Sequence, residues 1–164
     1  MLKPSSLRDQ LTAAVPWFAA NPENLTLFIN AGRIITTGTG TLSFEYAYTL
    51  QIVALGYAGH ADALVVPMLE WISRNQPELL DNPDKREKAL RFNVEFLTDI
   101  TTDIGFEIDL TERVLVRPRA GAPAGAVELH HVAEPPHPVH IDKPEHWTLW
   151  MHGELLAQWD HDPR

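Results

Sequence analysis

At 164 residues the chain is long enough for one domain with a real core and too short for two ordinary ones. Its 45% hydrophobic content fits a folded, soluble protein, and its net charge of −9, from 22 acidic and 13 basic side chains, disfavours nucleic-acid binding as the main task because such a surface repels phosphate. No cysteine is present, which excludes disulfides and thiolate ligands.

The opening MLKPSSLRDQ turns polar at once, unlike a secretory signal. A membrane-spanning helix takes about 20 apolar residues; the longest apolar run, Ala13 to Ala20, is shorter and contains Pro16. A cytoplasmic protein is expected. Ser6, with Asp9 three residues later, predicts the start of a first helix, whose Leu7, Leu11 and Val15 share a face. Pro16 and Pro22 bound the next segment, so this helix is short or broken. LTLFIN reads as a strand and NAGR as its turn.

The clearest strand signal is LSFEYAYTLQIVAL. Leu42, Phe44, Tyr46, Tyr48, Leu50 and Ile52 alternate with Ser43, Glu45, Ala47, Thr49 and Gln51. The pattern returns twice. Phe92, Val94 and Phe96 oppose Arg91, Asn93 and Glu95; Ile104, Phe106, Ile108 and Leu110 oppose Gly105, Glu107, Asp109 and Thr111. Strands with one apolar and one polar face predict a sheet covered on one side. A second helix supplies cover, with Ala61, Leu64, Val65, Met68, Leu69 and Ile72 on one stripe, Asp62 as cap, Pro77 as stop, and Pro67 as a kink or a late start.

The expected architecture is α+β: a mostly antiparallel sheet covered on one face by two helices, over residues 1–117. Residues 118–144, rich in proline and histidine, read as an extended arm. Residues 145–164 read as a β-hairpin turning at His152-Gly153, apolar on both faces and suited to burial against its own sheet or a neighbouring subunit.

Catalytic motifs are sparse. GTGT, Gly38 to Thr41, lacks the third glycine of a phosphate loop and leads into a strand, so a hairpin turn is expected there. Glu107 and Asp109 share a polar strand face with Glu45 and Glu95, where they form either a hydrophilic surface or the wall of a lumen. His137 and His140, with His130 or His131 and Glu134, have donor types that zinc accepts, but the prolines among them offer no scaffold for ligand spacing. His60 fits a capping or surface position. No metal, cofactor or catalytic residue is assigned, and the residues alone predict a non-catalytic interaction protein.

Several segments together resemble a known family: MLKPSSLRDQLTAAV, LSFEYAYTL, GHADALVVPMLEWISRNQPELL, LTERVLV, EPP and HGELLAQW. In this order, over essentially the whole chain, they resemble the GpR tail completion family of contractile-tailed temperate phages. The chain is longer than that pattern around RAGAPAGAVELHHV, and its histidines stand outside the signature. The resemblance implies a tail-terminator-like structural protein, not an enzyme, that caps the head-proximal end of the tail so that tube and sheath stop growing and a head can join. By analogy with terminators of long tails, it implies a homo-oligomeric ring, a hexamer on the tail. Its implied partners are copies of itself, tube and sheath proteins, and head-completion or connector proteins. DNA would pass through the ring without specific binding, and no membrane is involved. The implied location is the host cytoplasm during assembly and then the virion tail. In such a ring Trp147, Trp150, Leu155 and Trp159 are candidates for the subunit interface, and Glu45, Glu95, Glu107 and Asp109 for the channel lining. A generic protein–protein adaptor and a metal-binding protein using the histidine arm are the alternatives.

Overall fold

The structure is a computed structural model describing residues 1–38, 40–98, 100–135 and 143–161. It is α+β, as the alternating patterns predict. Helix α1 (Lys3–Ala14) is followed by the short α2 (Pro16–Ala20), a turn of 3-10 helix, and strands β1 (Leu25–Thr36) and β2 (Phe44–Tyr57). The main helix α3 (Asp62–Asn75) leads through two single-turn helices, α4 (Glu78–Asp81) and α5 (Pro83–Arg86), to β3 (Arg91–Phe96), β4 (Thr102–Pro118) and β5 (Val127–His131). Strands β6 (Glu145–Met151) and β7 (Glu154–His161) close the order.

Among the described residues the main sheet runs β1-β2-β4-β3, every neighbour antiparallel, with β5 added beside the far half of β4. Period two dictates its two faces. Tyr48, Leu50 and Ile52 pair with Leu110, Ile108 and Phe106 and are buried. Against them pack Leu7, Leu11 and Phe18 from α1 and α2, and Leu64, Met68, Trp71 and Ile72 from α3. Tyr57 stacks on Phe18 and meets Trp17 edge-on; its burial pushes the phenol up to about 12. No helix among the described residues is long and apolar enough to cross a membrane.

Some local expectations are corrected. Helix α1 begins at Lys3, with Pro4 in the first turn where its missing N–H costs nothing. Ser6 is therefore no cap; its Oγ accepts from Trp71 Nε1 at 3.1 Å. NAGR does not end a strand: β1 continues to Thr36, with a register shift between Ile29 and Gly32 that absorbs Asn30 and Ala31 as a bulge. Leu69 of the expected stripe is exposed, whereas Glu70 and Trp71 are buried, because α3 is covered on a second side. His60 does serve the helix start, its Nδ1 accepting from Asp62 N at 3.2 Å. Part of the expected arm, Val127–His131, is strand β5, paired with Val114–Pro118.

The hairpin turns where the sequence predicts, with φ of 52° at His152 and 87° at Gly153. Among the described residues it does not pair with the main sheet. Strand β7 lies against α1 and α3, so the helices are held between the sheet and the hairpin.

Candidate functional site

Three surfaces compete for function: the polar face of the sheet, the outer side of the hairpin, and the polar clusters at the seams between layers. The polar face comes directly from the alternation that builds the core. Glu45, Thr49 and Gln51 of β2 lie opposite Arg113, Asp109 and Glu107 of β4, and Arg91 and Glu95 of β3 lie opposite Glu107 and Asp103. The four carboxylates singled out from the sequence thus share one face. They are not electrically alike. Arg91 reaches Asp109 at 2.9 Å and Glu107 at 3.3 Å. Burial alone would raise the Asp109 pKa, but the hydrogen bonds from Arg91 and Thr49, with the Arg91 charge, outweigh it and hold the carboxyl below its usual range. Glu45 faces Arg113 in the register, while Glu95 has no ion-pair partner among the described residues. On the same side a groove of about 620 Å³ opens between Arg33, Thr49 and Asp109 and the segment carrying Glu78, Lys85 and Lys88. Lys85 binds Glu78 at 2.9 Å, holding that carboxyl below its ordinary range. This is a solvated, ion-paired face.

The hairpin divides its apolar residues between two sides. Trp159 is only 4% exposed, and its ring lies 5.9 Å from that of Trp147, which packs against the same core. Trp150 and Leu155, opposite each other in the register, are 58% and 45% exposed. Of the four candidate interface residues, two are therefore used within the chain and two face outward. Alternation alone puts Trp150 on the side opposite Trp147, and the shift between Leu149 and Trp150 puts Leu155, otherwise in phase with Trp159, on that side too.

Three buried polar residues at the seams have no counterpart among the sequence-derived candidates. Glu70 of α3 forms an ion pair with Arg74, whose Nη2 donates to Oε2 at 2.8 Å; its Oε2 also accepts from Gln10 Nε2 at 2.9 Å, and its Oε1 bonds His161 Nδ1 at 2.8 Å. It joins α1, α3 and β7. Glu112 stands in phase with Ile108 and Leu110, on the apolar side of β4. It accepts from the Tyr48 hydroxyl at 2.5 Å and from Leu2 N at 2.6 Å. Burial first, then that bond and the carboxylate charge, drive the Tyr48 hydroxyl far above the tyrosine range. Gln76 fills the gap on the β4 edge between β3 and β5: it accepts from Thr111 N at 3.2 Å and donates to Thr111 Oγ1 at 3.1 Å, satisfying a strand edge that would otherwise be bare. A carboxylate in phase with a core stripe was the available signal for Glu112. Glu70 and Gln76 carry none, since their partners are remote in sequence.

Of the candidate zinc donors, His130 and His131 lie on β5, and Glu134 binds Lys3 at 2.9 Å. His137 and His140 lie outside the described residues. Among the described residues no group of three or more histidines and carboxylates is placed to hold a metal.

Comparison with known proteins points to assembly. Residues 1–135 match the family model described as P2 phage tail completion protein R (GpR). The chain is also 37% identical over 160 residues to the tail completion protein R of Escherichia phage P2, covering 98% of this chain and 99% of that protein. No solved structure matches it.

Proposed function

Because the chain belongs to the P2 phage tail completion protein R (GpR) family, we propose that it completes the phage tail by capping its head-proximal end, so that tube and sheath cease growing and head joining can begin. The observation that carries this reading is the end-to-end similarity to a tail completion protein. In this reading several copies close into a ring, a hexamer on the tail, that meets tube and sheath on one side and head-completion proteins on the other. The protein acts in the host cytoplasm and remains in the virion tail.

Trp150 and Leu155 are the hairpin's contribution to a contact in that assembly, since exposed aromatic anchors dominate such interfaces. Deleting the hairpin is a poor test, because it would also strip Ala157 and Trp159 from the core. The double substitution Trp150→Ser, Leu155→Ser avoids this. Being on the surface, it should change stability by less than about 0.5 kcal/mol. Expressed in place of the wild type, it should yield unjoined tails or tails of irregular length under the electron microscope. Normal tails and normal particle yield from a folded double variant would remove the hairpin from the interface.

The carboxylate face is proposed to line the channel, where acidic walls keep DNA from adhering. Glu45→Lys with Glu107→Lys should leave tail length normal while slowing DNA delivery in infection assays. Undiminished delivery through intact tails would place this face elsewhere.

A further inference from the structure

The two outer strands of the main sheet are unlike each other and complementary. Among the described residues nothing in the sheet pairs with the outer edge of β1 or of β3. A long apolar edge left open invites pairing with another chain, and natural proteins normally cover or charge it. Here both edges are apolar on the side facing the helices. Phe92 and Phe96 of β3 are 73% and 80% exposed, lying beyond the helical cover, and Ile34 of β1 is 63% exposed. On the opposite, polar side, each edge carries one charge that makes no ion pair within the described chain: Arg33 on β1 and Glu95 on β3.

We propose that copies of this chain join head to tail through these edges, β3 of one copy against β1 of the next, in one continuous antiparallel sheet. Strand direction permits it. With every neighbour antiparallel along β1-β2-β4-β3, the two outer strands run in opposite directions, so a following copy in the same orientation presents β1 antiparallel to β3. The faces agree as well. Arg33 lies on the polar face with Ala47, and Glu95 on the polar face with Asp103; Ile34 and the two phenylalanines lie on the other.

The charges fix the register. Setting Arg33 opposite Glu95 places Ile34 opposite Val94, diagonally between Phe92 and Phe96, within reach of both rings. Phe96 then falls beside Gly32, which sets no side chain of its own against the ring. The bulge at Asn30–Ala31 ends regular pairing of β1 just beyond Gly32, so the segment from Gly32 to Thr36 matches the segment from Phe92 to Phe96 residue for residue. Such an interface is heterologous, and it forms a ring if its rotation closes. It deepens the ring reading and rests on it for closure alone.

The chain has no cysteine, so introduced thiols report cleanly. Arg33→Cys protein and Glu95→Cys protein, mixed and treated with a short bis-maleimide at assembly concentrations, should give a dimer of the 18.4 kDa chain that neither variant gives alone. The double variant should give a ladder. Arg33→Glu should weaken self-association about tenfold through like-charge repulsion, and Arg33→Glu with Glu95→Arg should restore it. A dimer from Glu95→Cys alone, or no cross-link in protein that is assembled or supplied with tail tubes, would overturn the proposal. A ladder that never closes would uphold the edges and sink the ring; a hexamer without cross-links would do the reverse.

Discussion

Trp159→Ala should lower the stability of the dilute, unassembled chain by about 3–5 kcal/mol, the usual loss when a buried tryptophan is truncated. For a domain of this size, that moves the thermal midpoint down by roughly 10 °C. The ring is buried against the helices beside Trp147 and Ala157, and truncation would leave a cavity in that seam. Its Nε1 meets no acceptor among the described residues, so the contribution is apolar, and Trp159→Phe should retain much of it. Denaturant curves at two protein concentrations separate this role from an interface. A loss that does not depend on concentration places Trp159 in the folding core, whereas unaltered stability with failed assembly would return it to the subunit interface.

The second large effect belongs to Glu70. Glu70→Ala removes the acceptor shared by Arg74, His161 and Gln10 in a largely buried site. Breaking a buried pair from one side typically costs about 3–5 kcal/mol. Replacing both members with apolar side chains of similar size, Glu70→Leu with Arg74→Met, should recover most of that loss, because apolar side chains need no desolvation of charge. Chemical denaturation of Glu70→Leu, Arg74→Met and the double variant forms the necessary cycle. If Glu70→Ala lost less than about 1 kcal/mol, the value expected of an exposed pair, the cluster would not hold the hairpin to the helices.

Much of the scaffold is legible because its signals are local. The alternation from Phe44 to Ile52 and from Ile104 to Leu110 specifies which side chains face inward, and these residues do meet across β2 and β4. The turn at His152-Gly153 is legible for the same reason: two adjacent residues must adopt positive φ. Misreadings arise where a local signal has two physical outcomes. Asn30-Ala31-Gly32 serves a bulge as readily as a turn, and Ser6 with Asp9 resembles a cap although a proline two residues earlier already starts the helix. Alternation also puts Phe92 and Phe96 on the helix side of the sheet, where the register has them, but it says nothing of how far the helical cover extends, and both rings are exposed.

By itself the sequence determined the class of fold, the two faces of the sheet, the position of the hairpin and, through motifs spread along the chain, the family. Tertiary structure decided which side of the hairpin is used inside the chain, leaving Trp150 and Leu155 outward and Trp159 inward. It also decided which buried polar groups find partners: His161 meets Glu70 across 91 positions, and Leu2 meets Glu112 across 110. The physical reason is range. Backbone periodicity is set by residues a few positions apart, whereas a buried charge is tolerated only where the folded chain brings its partner to it.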